Sequence, residues 1–489
     1  MGAGQVGTQL ASQFIEEKHN VVVIESDEER ARHVSNRMDC IVLNAEGNSV
    51  SALEEADISK TDALVCVTGS DEVNIIICSL AARYPNLFRI AMVRNEDYIQ
   101  RYFGGNSAEG KSSSLGVDYF IHPDAEAARR VLDAVEHGAV GNIMSFAGTS
   151  YMLGAVDITE GTVFDGLIIR DFHSHMSMDC LVALIERKQE HIIPSGETQI
   201  AAGDRIYLLA KEHELFAGFK LAGYREKPIS RIGIVGGGRL GSLIAAGIFS
   251  NEPAGTVNAS KNKNVLRSFL KNLKPKKFKN VTIIEQNKNI CKELADKFPE
   301  ALILNDDISD ESFIAEEQMD KLDLIIASTN NQELNIITAV YLKSRGVSRA
   351  IATVNSTGLA AVARRLGVDV VIPIKSVVID SIMSRLMGGN IKGVHSFAEG
   401  TLTILDVEIN SGCRAEGKFM SDLALPEGAL ALLVKRKDGD DLIPHGSYVY
   451  TAGHQLFLIA KTGTEKNIKE IFGFSESHPQ KENQTAENT

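Results

Sequence analysis

The chain repeats itself, and no other feature limits its possible folds as strongly. Gly2-Ala3-Gly4-Gln5-Val6-Gly7 is echoed by Gly236-Gly237-Gly238-Arg239-Leu240-Gly241, and Val21-Val22-Val23-Ile24-Glu25 by Val281-Thr282-Ile283-Ile284-Glu285. The run from Asp62 through Thr68 to Asn74 returns as Asp323 through Thr329 to Asn335, and Gly116-Val117-Asp118 returns as Gly367-Val368-Asp369. Late in each copy, Ile193-Pro194, Gly196 and Ala202-Gly203 match Ile443-Pro444, Gly446 and Ala452-Gly453. The landmarks keep their order, so one structural unit is used twice.

Each unit has two parts. In the first lobes, 1–124 and 230–376, short β-branched runs alternate with amphipathic stretches such as Asp27 to Arg37 and Val73 to Arg83. That alternation predicts βαβ units and a doubly wound parallel sheet, an α/β fold. The second lobes, 138–223 and 393–473, read as short strands broken by Gly and Pro with helical pieces, a small α+β domain. Four lobes suit a chain of 489 residues, too long for one core. Arg225-Glu226-Lys227-Pro228 is the expected joint between copies, and the polar run 475–489 reads as a disordered tail.

Bulk properties exclude several classes. A net charge of −13 argues against a nucleic-acid binder, which needs a basic surface. The six cysteines (Cys40, Cys66, Cys78, Cys180, Cys291, Cys413) show no C-x-x-C spacing or Cys/His cluster, so they read as reduced, mostly buried thiols. The longest uncharged stretch, Gly138 to Val156, carries four glycines with Asn, Ser, Thr and Tyr, and no transmembrane helix or signal peptide is predicted. Any role at a membrane must pass through a partner.

The glycine runs fit a phosphate loop. In a G-x-G-x-x-G turn the first glycine turns the chain from strand to helix, the second lets a pyrophosphate approach the backbone, and the third lets helix pack on strand. An acid at the end of the next strand accepts hydrogen bonds from ribose hydroxyls, and Glu25 stands 23 residues after Gly2. A carboxylate there repels a 2′-phosphate and favours NAD(H) or an adenine nucleotide over NADP. The bland alternative is a structural turn. No apolar strand precedes Gly2, so the sequence is expected to begin downstream of its true start, because a sheet without that strand exposes two inner edges. Copy two has the strand, Arg231 to Val235. It also has an insertion: Gly7 and Glu25 are 18 positions apart, Gly241 and Glu285 44. Residues 253–280 carry Lys261, Lys263, Arg267, Lys271, Lys274, Lys276, Lys277 and Lys279 and no acid, which suits either a solvated excursion or a contact to anionic headgroups or an acidic partner.

With both loops, both acids and the run Asp62-Ala63-Leu64-Val65-Cys66-Val67-Thr68-Gly69-Ser70-Asp71-Glu72-Val73-Asn74, the chain resembles the regulators of Trk-type potassium uptake, the TrkA family. The resemblance spans about residues 2 to 473. It implies Rossmann-like N-terminal lobes, small α+β C-terminal lobes and a cytoplasmic protein that binds NAD(H) or ATP/ADP. It also implies a homo-oligomeric ring, attached peripherally to the membrane through the potassium-translocating subunit that it gates. Carried over by position, Gly2, Ala3, Gly4, Gln5, Val6 and Gly7 form the pyrophosphate loop and Glu25 takes the ribose. Thr68 and Gly69 border the adenosine, and Arg94 reaches toward phosphate. In copy two the roles fall on Gly236, Gly237, Gly238, Arg239, Leu240, Glu285 and Thr329. Copy two departs from the pattern: Ser328-Thr329-Asn330-Asn331-Gln332 replaces the Thr-Gly-Ser-Asp run, Thr353-Val354-Asn355 lacks the arginine, and His454 stands where copy one has Asp204. Copy one is therefore the expected sensor.

The rival is a dehydrogenase, which needs an acid/base group over the nicotinamide. The one Tyr-x-x-x-Lys match, Tyr207 to Lys211, lies in a strand-like run, where positions four apart are ~13 Å distant. His122, His173 and His175 have no partner set that spacing identifies. A third reading is a ligand-binding regulator of another transporter or channel.

Overall fold

The computed structural model describes residues 1–16, 19–95, 97–98, 115–136, 143–146, 149–175, 179–188, 190–223, 229–249, 280–386, 391–397, 401–437 and 440–473. The basic insertion up to 279, the joint at 225–228, residues 103–114 of copy one and the tail after 473 lie outside them.

Copy one begins with the loop and its helix α1 (Gln5–Glu16), then β1 (Val22–Glu25), α2 (Glu28–Ser35), β2 (Ile41–Asn44), α3 (Val50–Glu55), β3 (Ala63–Cys66), α4 (Asp71–Leu80), β4 (Phe88–Met92) and β5 (Tyr119–Ile121). The parallel sheet is in two parts, β1-β2 and β3-β4-β5. Among the described residues, Met1 and Gly2 bridge the two parts. The Met1 amino group donates to the Val65 carbonyl (2.9 Å), Val67 N–H to Met1 O (3.0 Å) and Gly2 N–H to Ile24 O (2.9 Å).

After the crossing helix α5 (Pro123–Glu136), the first small lobe comprises β6 (Met144–Ser145), β7 (Tyr151–Asp157), α6 (Ile169–His175), β8 (Cys180–Arg187), β9 (Glu190–Ile192), β10 (Arg205–Lys211) and α7 (Glu212–Leu221). Its antiparallel sheet runs β6-β7-β10-β8-β9. Arg187 grips the buried Asp204 through two hydrogen bonds of 2.7 Å, and that guanidinium holds the Asp204 carboxyl below its ordinary value. A depressed carboxyl stabilises the fold above the unfolded pKa, near 4, and the contribution disappears as pH falls through the folded value. Asp204→Asn should therefore cost about 2 kcal/mol at pH 7, the partly exposed Arg187 holding the loss to that size. The difference should shrink as pH falls below about 4 and be lost once the pH passes below the folded value; a variant as stable as wild type at pH 7 would show the pair to be idle.

Copy two repeats the plan in full. Its elements are β11 (Arg231–Val235), α8 (Arg239–Phe249), β12 (Asn280–Ile284), α9 (Lys288–Lys297), β13 (Leu302–Leu304), α10 (Glu311–Glu316), β14 (Leu324–Ala327), α11 (Gln332–Ser344), β15 (Arg349–Val354), α12 (Thr357–Arg365), β16 (Val370–Pro373) and the crossing helix α13 (Ile374–Leu386). All six strands are parallel in the order β13-β12-β11-β14-β15-β16. This is a doubly wound α/β sheet whose strand order reverses between β11 and β14, the place where folds of this kind hold ligands. The second small lobe, β17 (Ile391–Phe397), β18 (Leu402–Glu408), β19 (Ala429–Lys435), β20 (Gln455–Lys461) and α14 (Glu465–Phe472), is antiparallel in the order β17-β18-β20-β19.

Several repeated landmarks prove to be staples of this frame. Asp118 accepts from the Arg89 backbone (2.8 Å) and from its guanidinium (2.8 and 3.0 Å), tying β5 to β4. Asp369 does the same between β16 and β15 through Ala350 N–H and Lys343, both at 2.7 Å. Ser70 and Asn331 cap α4 and α11 by accepting from Val73 and Leu334 N–H, so different residues meet one need of a helix N-terminus. Of the six cysteines, all are free thiols and only Cys40 is not buried.

The crossing helices are exchanged. From α5, Ala127, Ala128, Val131, Leu132 and Val135 are packed into the core of copy two with Ile232, Ile234, Leu243 and Ile244. From α13, Val378, Ile379, Ile382 and Met383 share a core with Leu10, Val67, Ile90 and Ile121 of copy one and with the second small lobe. The helices also meet one another through Arg130 and Asp380, 3.9 Å apart, and Arg385 lies 4.3 Å over the Tyr119 ring. The small lobes pack sheet on sheet through Tyr151, Leu153 and Leu184 against Leu402, Leu433 and Phe457.

Candidate functional site

Each glycine run forms the turn that the sequence suggests, with the labour divided by position. Gly2 and Gly236 have φ of +89° and +94°, a left-handed conformation that a side chain resists. A Cβ on Gly7 would stand 1.9 Å from the Gly2 carbonyl oxygen, and one on Gly241 1.8 Å from that of Gly236, so both must be bare for helix to pack on turn. Gly4 and Gly238 are different: a Cβ there meets nothing within 4 Å. The same holds for Gly69 beyond β3. Backbone thus faces open space at the N-terminus of α1 and of α8, the geometry that receives an anion.

The two acids close under these loops. Glu25 is buried and accepts from Ala3 N–H (2.5 Å) and Asp27 N–H (3.0 Å). Glu285 is buried likewise and accepts from Gly237 N–H (2.8 Å) and Asn287 N–H (2.7 Å). Each oxygen keeps a further lone pair for a hydroxyl.

The strand-end motif contains a lock that the sequence comparison marked without explaining. Asn74, fully buried, accepts from Thr68 N–H (2.9 Å) and Thr68 Oγ1 (2.7 Å) and donates to Met92 O (2.8 Å). Asn335 repeats this on Thr329 (2.9 and 2.6 Å) and on Thr353 O (3.0 Å). Asp71 accepts from the backbone N–H of Arg94 and Asn95 (2.9 and 2.7 Å), and Gln332 from that of Asn355 (2.9 Å). The departures in copy two therefore preserve the local hydrogen bonding while removing a negative charge.

A cavity of about 750 Å³ lies on the copy-two loop, within the usual range for small-molecule sites. Gly236, Gly238, Arg239, Leu240, Glu285 and Thr329 all line it. Its far wall is copy one: Val6, Met92, Arg94, Pro123 and Asp124. Thus Arg94, aligned by sequence with the copy-one loop, also borders the copy-two site, and the arginine missing at Asn355 is matched across the boundary. Asp124 stands 3.9 Å from Arg239. Sequence reasoning missed Asn74, Asn335, Asp124 and Lys375. The first two were visible as repeated landmarks; Asp124 enters because α5 packs on copy two, and Lys375 lies where α13 starts at the cavity wall.

Of the residues weighed for catalysis, Tyr207, Lys211 and His122 are engaged elsewhere, and the side chains of His173 and His175 lie outside the described ones. Tyr207 is buried in β10 against Glu186 (3.3 Å), and the Lys211 ammonium lies 5.6 Å over the ring of Tyr151. His122 accepts from Ala125 N–H (3.2 Å) at the start of α5.

The TrkA-N domain model matches residues 1–123 and 263–374, and the TrkA-C domain model residues 153–217. The chain belongs to the TrkA family. Among curated relatives, the Trk system potassium uptake protein TrkA of Halomonas elongata is 25% identical over 96% of this chain and 97% of its own length. The TrkA homolog of Archaeoglobus fulgidus is 27% identical over 96% and 98%. Among solved structures, the GsuK channel bound to NAD superposes with a TM-score of 0.52 at 16% identity, covering 96% of this chain and 77% of that one. The GsuK RCK domain gives 0.51, covering 96% and 93%. These neighbours share the α/β fold of TrkA-N lobes followed by small lobes. No helix among the described residues is long and apolar enough to cross a membrane.

Proposed function

We propose that this chain is the nucleotide-sensing regulatory subunit of a Trk-type potassium transporter, binding NAD(H) or ATP/ADP and gating a membrane-embedded partner. The observation that carries the reading is the pair of loops, each with open backbone at its second glycine and a buried glutamate beneath it, one of them facing a cavity walled by the other copy. The names of the near full-length relatives support the potassium assignment.

In this reading the loop N–H groups hold the pyrophosphate, Glu25 or Glu285 takes the ribose hydroxyls, and Thr68 or Thr329 borders the adenosine. No bond is broken. A ligand that touches copy two through the loop and copy one through Val6, Met92 and Arg94 binds one relative placement of the copies better than others. It shifts the population by that difference in affinity and by no more. A homo-oligomeric ring transmits the shift to the translocating subunit at the cytoplasmic face of the membrane.

Calorimetric titration with NADH, NAD, ATP and ADP tests the ligand reading. Glu25→Ala and Glu285→Ala should each remove one binding event or weaken it at least about tenfold, since a charge-assisted hydrogen bond is lost. Affinities untouched by both changes would refute the assignment of the acids. Growth of a potassium-uptake-deficient strain on limiting potassium, with the cognate membrane subunit present and this chain present or absent, tests the transport role.

A further inference from the structure

Copy one carries two thiols where copy two has methyl groups. Cys66 ends β3 and Cys78 lies on α4, and their sulfurs stand 3.6 Å apart, in hydrogen-bonding contact. Both side chains are fully buried, in one cluster with Leu53, Ile75 and Ile77. By the repeated landmarks their counterparts are Ala327 at the end of β14 and Ala339 on α11, fully buried as well. The frame thus closes with alanine at both positions, so packing of helix on strand does not call for the sulfurs.

The thiols lie on the two elements that the strand-end lock joins. Cys66 precedes Thr68 by two residues, and Cys78 follows Asn74 by about one turn of the same helix. Thr68 and Asn74 tie that strand end to that helix through hydrogen bonds of 2.7 and 2.9 Å. A disulfide holds its sulfurs about 2.05 Å apart, so the end of β3 or the body of α4 must shift by about 1.5 Å to form one. A close-packed interior passes such a shift on, and the lock spans the elements that move.

Resting on the nucleotide reading above, we propose that Cys66 and Cys78 are a redox-modified dithiol: a peroxide converts them to a disulfide, and the displaced Thr68 and Gly69 then hold nucleotide less well in copy one. Copy two, with alanine at both positions, does not respond in this way. One sulfur, as thiolate, attacks a peroxide oxygen; the O–O bond breaks, a sulfenic acid forms, and the second oxygen leaves as water with the first thiol proton. The other sulfur displaces the sulfenic oxygen, which departs as a second water with the remaining thiol proton. The two thiols lose two electrons and the peroxide gains them. The adjoining Cys66 and burial hold the Cys78 thiol well above its ordinary value, so the closed lobe protects the pair and oxidation proceeds through openings of the β3 and α4 unit.

The test uses the full chain with Glu285→Ala, which confines binding to copy one, treated with hydrogen peroxide and then freed of it. Peptide mass mapping should find Cys66 linked to Cys78, lighter than the reduced pair by two hydrogen atoms. Calorimetry with ADP and NADH should then show affinity lowered at least about fivefold and restored by dithiothreitol. The double variant Cys66→Ala, Cys78→Ala, which installs the copy-two residues, should keep its affinity within about twofold through the same treatment. Absence of the link once the half-buried Cys40 is fully oxidised overturns the dithiol. A link that leaves affinity unchanged, or an equal loss in the double variant, overturns its control of the site. Should the double variant fail to fold, Cys78→Ala alone removes the pair and is read in the same way. A reduced chain that binds neither ADP nor NADH overturns the nucleotide reading and the coupling with it.

Discussion

Alanine at Gly241 and alanine at Gly238 should damage the protein in opposite ways. At Gly241 the new methyl group would sit 1.8 Å from the Gly236 carbonyl oxygen, so the turn must open or α8 must lift from the sheet. Overpacking of this kind costs about 1–3 kcal/mol, which for a lobe of this size is a fall in melting temperature of roughly 5 °C. Binding at copy two should be lost with it. At Gly238 the methyl group meets nothing within 4 Å, so the melting temperature should be unchanged. That open space is where a pyrophosphate would approach the backbone, and filling it should weaken nucleotide binding about 100-fold, or about 3 kcal/mol. Thermal melts and calorimetry on the two variants separate the outcomes. A Gly238→Ala protein that binds nucleotide like wild type would mean that the loop is a structural turn and no more.

The second large effect is expected at the boundary between copies. A Cβ on Gly247 in α8 would lie 2.1 Å from Cδ1 of Leu132 in α5. Gly247→Val should therefore push the crossing helix off copy two, costing about 2 kcal/mol by overpacking. It should also draw the far wall of the cavity, with Arg94 and Asp124, away from the loop, and nucleotide affinity should drop although no residue of the loop has changed. Leu132→Ala in the same chain should return part of both losses, and a double-mutant cycle in urea measures the return. If the two changes simply add, helix and helix do not meet as described.

The sequence disclosed the duplication, the doubly wound copies, the loops and the acids, because each is written in local spacing: glycines at fixed offsets, an acid at a strand end, β-branched runs between amphipathic ones. It did not show how the substitutions in copy two are accommodated. Asn331 and Gln332 look like a decayed motif, yet Asn331 caps α11 as Ser70 caps α4, and Gln332 holds the Asn355 backbone as Asp71 holds that of Arg94. A hydrogen-bond acceptor is what those positions require, and several residue types supply one. The joint character of the site was not legible at all. Arg94 and Glu285 are far apart in sequence, and nothing in the spacing of either copy says that α5 covers its neighbour and not its own sheet. Nor did the spacing show that Met1 and Gly2 hydrogen-bond to both halves of the copy-one sheet.

The exchanged helices also bear on how such a protein can vary. In a symmetric pair of identical chains, each position on one side of the boundary recurs on the other, so a change of charge is made twice and must suit both places. Here the two sides are encoded separately. Asp124 can oppose Arg239 of the copy-two loop while the copy-one loop carries Gln5 at the corresponding position, and the two loops can diverge without loss of the shared core. Covalent tandem linkage turns a two-fold boundary into two independently adjustable contacts.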